Sequence, residues 1–290
     1  MNIRLVATIA FALVLSGCTV TLDKDSVVKT DAAMAARNIT LPDKPTSAAV
    51  LAPGTRLVPE DLAADFGRLH TVRLESDTAR PLVVLCGGNL FREESQGGLA
   101  LPLLAPFGNP LLFDYPGYGA SGGSGTRAEF AATERTLAAR VEALAAGGRQ
   151  VIFIGHSLGG GVCASLAATA KVRSALVLAG TFANYGDVKD AMLGWFSGVV
   201  GVAPADDLVA IDGPQRLVNY NGPIVVVALS DDETIPFKAS QKLAERLTAT
   251  GRSVTFLRLE GSGHSRILGH PDFQAAVKKA LQDRGIETGP

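Results

Sequence analysis

A mostly parallel, doubly wound α/β sheet is the fold class this sequence predicts, and three observations predict it. Apolar runs of five to seven residues recur at 69–75, 81–86, 110–114, 150–154, 174–179, 224–229 and 254–259. Most are continuous in Val, Ile, Leu and Phe instead of alternating with polar residues, as in strands covered on both faces. Helical stretches alternate with them, and repeated β–α order predicts right-handed crossovers with helices on both sides of one sheet.

The chain has 290 residues, 47% hydrophobic and 19% charged, with a formal net charge of −1. Lys and Arg gather in no stripe, which argues against nucleic acid as a partner of the globular part. Residues 1–4 include Arg4, residues 5–15 are almost wholly apolar, and Leu15-Ser16-Gly17-Cys18 follows. A positive start, a short apolar run and small residues at its end describe a secretory signal peptide at 1–17. The run is shorter than the about 20 residues needed to span a hydrocarbon core.

The Leu15–Cys18 tetrad resembles the bacterial lipobox. That resemblance implies acylation of Cys18 and an exported protein held to a membrane by lipid. Thr19 in place of Asp after the Cys implies the periplasmic face of the outer membrane. Residues 18–50 mix charged and small residues with Pro42 and Pro45 and show no sustained period, so they read as a tether. One domain, 51–290, is expected beyond it.

Between the strands, the stretch 127–146 carries an apolar stripe of Phe130, Leu137, Val141 and Leu144 and stops at Gly147-Gly148. The other helix candidates are 158–170, 237–249 and 271–282, with Pro236 and Pro271 where helices can begin. The stretch of about 180–222 is too long for one crossover helix. It includes Met192, Leu193, Trp195, Phe196, Val199 and Val200, residues suited to burial against the core or to an acyl pocket. Cys86 and Cys163 would be able to pair in an oxidising compartment, but they read as small buried thiols.

The most informative stretch is 151–160, where an apolar run meets an Ala-rich helical one through Gly155-His156-Ser157-Leu158-Gly159-Gly160. A strand–turn–helix that lifts a Ser hydroxyl above a sheet brings backbones too close for side chains at both flanking Gly positions, which makes Ser157 the candidate nucleophile. A second motif, 114–123, reads Asp-Tyr-Pro-Gly-Tyr-Gly-Ala-Ser-Gly-Gly. Its Gly117-x-Gly119-x-x-Gly122 matches a dinucleotide fingerprint by string alone. It lies at an internal strand with no acidic residue about 20 positions on to bind a ribose.

With these two motifs the chain after residue 69 resembles the α/β-hydrolase superfamily, in which the elbow and the D-x-x-G-x-G-x-S loop recur. The resemblance implies a sheet of that type with a short lid at about 180–222, and the order nucleophile, acid, histidine. Of His70, His156, His264 and His270, the last two follow the acid candidates. His264 sits in a flexible loop beyond a strand end and is the expected base, whereas His270 precedes Pro271 as a helix start. His156, beside the nucleophile, is expected to point elsewhere.

The family pattern of Asp followed by x-x-Ile/Val-Pro fits Asp232, with Ile235-Pro236 in register and Asp231 as runner-up. The oxyanion hole implied is the amide of Leu158 plus that of Gly88, with Asn89 the alternative, although Cys86-Gly87 stands where many relatives have His-Gly. The function expected is hydrolysis of an ester or thioester of a small acyl substrate through Ser157, Asp232 and His264. Peptidase or acyltransferase chemistry with the same groups, and a lipid-tethered binding module, are the alternatives. No H-E-x-x-H or paired C-x-x-C suggests a metal, and no cofactor is expected.

Overall fold

The computed structural model describes residues 19–22, 28–76, 80–184, 186–188, 201–204 and 213–289. The expected signal peptide, Cys18 and the apolar lid candidates Met192, Leu193, Trp195, Phe196, Val199 and Val200 lie outside them.

Along the chain, β1 (Thr19–Leu22) precedes a short helix α1 (Asp31–Ala35), a short 3-10 turn (Thr46–Ala48), and β2 (Arg56–Ala64) with β3 (Gly67–Glu75). β4 (Leu82–Cys86), α2 (Glu93–Leu104), β5 (Asn109–Phe113), α3 (Arg127–Leu144), β6 (Val151–His156) and α4 (Gly159–Thr169) follow. β7 (Ser174–Ala179), β8 (Gly201–Pro204), α5 (Gly213–Arg216), β9 (Ile224–Leu229), α6 (Phe237–Ala249), β10 (Val254–Leu259) and α7 (Phe273–Gln282) complete the order. The main sheet has eight strands in the order β10-β9-β7-β6-β4-β5-β3-β2. All pair in parallel except around β3, which is antiparallel to both β2 and β5. β1 and β8 form a separate parallel pair.

The continuous apolar strands are buried on both faces. Along β6, Val151 and Phe153 pack into one core, where Leu137 and Val141 of α3, Val162 and Leu166 of α4, and Leu243 and Leu247 of α6 meet them. Ile152 and Ile154 point into the opposite core, against Leu101 and Leu104 of α2 and Phe273, Val277 and Leu281 of α7. The period-2 alternation of strand side chains thus feeds two apolar layers, each closed by helices. α3 begins at a reciprocal capping box: the Thr126 hydroxyl accepts the Glu129 N–H, and the Glu129 carboxylate accepts the Thr126 N–H.

The loop at 114–123 is a fastener. The fully buried Asp114 carboxylate accepts the N–H of Glu93 at 2.7 Å and of Ala120 at 2.9 Å. Burial pushes its pKa up, against the pull of those two N–H donors. Ser121 donates its hydroxyl to the Asp114 carbonyl and accepts the His70 N–H, both at 2.8 Å. The first and last glycines of the apparent dinucleotide string close on each other, Gly117 N–H to Gly122 O at 2.7 Å. Structural bonds within the loop therefore account for that spacing.

Two expectations need correction. Cys86 and Cys163 are joined as a disulfide instead of standing as separate thiols, with a Cα–Cα distance of 5.7 Å. β4 pairs with β6 so that Cys86 lies opposite Gly155, and α4 packs across that point, where a Cβ on Gly155 would lie 3.0 Å from that of Cys163. Second, the stretch 28–49, expected as part of a tether, packs on the domain. Val28 is buried in the main core, and Lys44 exchanges backbone hydrogen bonds with α2: Lys44 N–H to Ser95 O at 3.1 Å and Gly98 N–H to Lys44 O at 2.8 Å. Among the described residues no helix is long and apolar enough to cross a membrane.

Candidate active site

Three loops at the C-terminal ends of β6, β9 and β10 carry the candidate residues, the usual place for chemistry in an open parallel sheet. Ser157 follows β6 directly and has φ of 53°, a left-handed backbone that a serine adopts only at some cost. The surroundings hold it there. Its N–H donates to Ala179 O at 3.1 Å, and its carbonyl accepts the Thr181 hydroxyl at 2.7 Å. The flanking glycines leave no room for side chains: a Cβ on Gly155 would lie 2.7 Å from Gly159 O, and one on Gly159 would collide with the carbonyls of Cys86 and Gly87.

Beyond β9, Asp232 Oδ1 accepts the N–H groups of Thr234 and Ile235, each at 2.8 Å, which fixes its carboxylate plane. Its Oδ2 lies 2.8 Å from His264 Nδ1, and the two side chains are 1% and 9% exposed. A carboxylate facing Nδ1 requires the proton on that nitrogen and leaves Nε2 with a lone pair. Asp231, the runner-up, is exposed and bonded to the Ser230 hydroxyl, so Asp232 is the acid that contacts the histidine. His264 opens a 3-10 turn, His264–Gly269, and His270 closes it, with its Nε2 on Glu260 O at 3.1 Å. His70 is bonded to Asp61 at 2.7 Å, and that pair lies on β2 and β3 at the far edge of the sheet.

His156 does not point away from the site. Its ring centroid is 4.8 Å from that of His264, and its Nε2–H donates to the His264 carbonyl at 3.0 Å. Burial, followed by the neighbouring His264, lowers its pKa from 6.5 to about 4. A neutral His156 adds no charge opposing a proton on His264. The signal available in the sequence was its place beside Ser157, but its partner lies 108 positions away.

On the other side of Ser157, a Cβ on Gly88 would lie 2.8 Å from His156 Nδ1 and 3.7 Å from Ser157 Cβ. Gly88 is therefore against the Ser157 side chain, and Leu158, one residue after Ser157, caps the start of α4. Among the described residues no group of three or more His, Cys, Asp or Glu side chains is placed to hold a metal ion.

A fold of this strand order, with a strained serine elbow and an Asp–His pair at neighbouring strand ends, is that of an α/β hydrolase. The family model described as "Alpha/beta hydrolase family" matches residues 49–219, more than half of the chain, and the chain belongs to that family. An uncharacterized protein of Mycobacterium tuberculosis, found in two strains, is 27% identical over 191 residues, which cover 64% of this chain and 63% of its own length. The chain thus spans 63% of the length of these relatives. An esterase of Pyrococcus furiosus has a similar fold, with TM-score 0.61 and 15% identity over 84% of this chain and 98% of its own. A serine hydrolase without lid from Xanthomonas campestris has TM-score 0.55 and 18% identity, covering 83% and 99%. A serine hydrolase involved in carbazole degradation has TM-score 0.55 and 20% identity, covering 79% and 100%. At these identities the likeness is one of fold.

Proposed function

We propose that the protein is a serine hydrolase that cleaves an ester or thioester through Ser157, His264 and Asp232. The contact between Asp232 and His264 at 2.8 Å, beside an elbow serine held at φ 53°, carries this reading. His264 Nε2 accepts the Ser157 proton as Oγ attacks the acyl carbonyl, and Asp232 stabilises the imidazolium. The tetrahedral oxyanion is received by the N–H groups of Leu158 and Gly88. Collapse gives the leaving alcohol or thiol the proton from His264. Water, deprotonated by the same histidine, then releases the acid and restores Ser157.

Two structural neighbours, one an esterase and one a serine hydrolase, support this chemistry. The test is labelling with a fluorophosphonate probe, followed by assay on p-nitrophenyl and thioester acyl substrates. Labelling and turnover that vanish in Ser157→Ala agree with the proposal. Undiminished labelling in that variant overturns the nucleophile.

The same proposal holds that the protein is exported and anchored through an acylated Cys18 on the periplasmic face of the outer membrane. The Leu15–Cys18 tetrad supports it. Metabolic labelling with an alkyne fatty acid is expected in the native chain and absent in Cys18→Ser; equal labelling of both would rule out this anchor.

A further inference from the structure

Gly87 and Gly88 are suspended between two fixed posts. On one side Cys86 is bound to Cys163 of the nucleophile helix. On the other, Asn89 Oδ1 accepts the Lys29 N–H at 2.9 Å and the Tyr118 hydroxyl at 2.8 Å. Arg92, 2% exposed, holds three groups at once. Its Nε donates to Asp31 Oδ1 at 2.8 Å, its Nη1 to the Asn89 carbonyl at 3.3 Å, and its Nη2 to the Lys29 carbonyl. The guanidinium stacks 4.0 Å over the Tyr118 ring. The Gly87 carbonyl is tied down in turn by the Tyr115 hydroxyl at 2.8 Å.

We infer that Asn89 and Arg92 are positioning residues that aim the Gly88 N–H at the oxyanion, and that the segment 29–31 is the latch they close on. The inference rests on the hydrolase reading of Ser157. Gly87 and Gly88 have no side chains of their own to fix them, and a donor to a developing oxyanion works only if its direction is set before the reaction. Neither Asn89 nor Arg92 touches the reacting atoms in this role. They act through the backbone between Cys86 and Leu90. A buried guanidinium with a carboxylate, two carbonyls and an aromatic face is a stiff support. It makes the chain just ahead of the domain a working part of the site.

The test uses the whole protein with two variants. Asn89→Ala deletes the acceptor shared by Lys29 and Tyr118. Asp31→Ala deletes the carboxylate of Arg92 at a side chain that is 54% exposed, so it opens no cavity in the core. Both are expected to lower kcat by about 10- to 100-fold with KM within about twofold, the mark of a contribution felt in the transition state. An alkyl trifluoromethyl ketone, which forms a tetrahedral adduct, is expected to bind more weakly by the same factor. Asn89→Asp keeps the acceptor oxygen and is expected to restore kcat to within about threefold of the native protein. Unchanged kcat in a folded Asn89→Ala or Asp31→Ala protein, or a loss that raises KM instead, would overturn the inference. Should the native protein neither turn over nor label, the hydrolase reading fails. Hydrogen exchange at residues 87–90 then decides the latch alone: faster exchange in both variants supports it, and native exchange rates refute it.

Discussion

The Glu233 carboxylate accepts the backbone N–H of His264 at 3.1 Å, while its chain neighbour Asp232 holds the ring of the same histidine at 2.8 Å. Glu233 also accepts the Gly263 N–H at 2.9 Å, and these donors hold its carboxyl below the usual carboxylate range. One acidic turn therefore grips the candidate base by main chain and side chain together. Glu233→Ala is expected to lower kcat/KM by about tenfold through loss of alignment. Steady-state kinetics on an aryl ester would check it, and native kcat/KM would remove Glu233 from the site.

Asp232 and Asp231 are separable by the same assay. Asp232→Asn is expected to cost roughly 10⁴-fold in kcat by presenting the wrong tautomer of His264, whereas Asp231→Asn is expected to stay within about twofold. A reversal of the two effects would transfer the role to Asp231.

The low pKa of His156 gives a stability signature. The ring titrates near 4 when folded and near 6.5 as an ordinary histidine, so the unfolded chain binds the extra proton between those values. Its contribution to stability is complete above 6.5 and is lost as pH falls toward 4. Urea unfolding at pH 7 and pH 5 should show this decline, and His156→Gln should flatten it. An equal decline in the variant would assign the pH dependence to other groups.

The disulfide closes a loop over a sequence separation of 77. Replacing both Cys86 and Cys163 by Ala is expected to cost about 2–4 kcal/mol of stability, read from denaturant unfolding without reductant. The native protein in strong reductant, once unfolded far enough to expose these buried sulfurs, should approach the variant. A difference below about 0.5 kcal/mol would mean that the bond adds nothing to the packing of α4 on β4.

At the elbow, Gly159→Ala is expected to destabilise the fold by about 3 kcal/mol or more, because the added Cβ meets backbone carbonyls of β4 and its following loop instead of movable side chains. Thermal unfolding within about 2 °C of native would contradict that geometry.

Strands buried on both faces were legible because their apolar runs identify them without a partner, and β7 and β9 coincide with the expected ranges. β10, a mostly half-buried edge strand, also coincides because it keeps Val254, Phe256, Leu257 and Leu259. β2 was not legible. It is an edge strand whose residues are exposed or half-buried, and it carries Pro59, Glu60 and Asp61, so neither an apolar run nor strand propensity marks it. α2 was hidden by Gly97, Gly98 and Pro102, all poor in a helix interior. The reason for the two glycines lies elsewhere: side chains there would strike Thr46 and the carbonyl of Pro45. The same contacts explain why 28–49 read as a tether, since its fastenings to Asn89, Arg92 and Ser95 span dozens of residues. Ser157, Asp232 and His264 were legible because each follows a recognisable strand. His156 and the Cys86–Cys163 bond depend on distances that only the folded chain defines.

The Cys86–Cys163 bond also turns residues 86–163 into a covalent ring that contains α2, β5, α3 and β6. Ser157 lies inside that ring, and so does Gly88. A single cut of the backbone anywhere between the two cysteines leaves one molecule, with no fragment able to diffuse away. Proteolytic damage in this part of the chain would release no fragment on a non-reducing gel until the sulfurs are reduced, and survival of the site after such a cut is a question of local geometry alone.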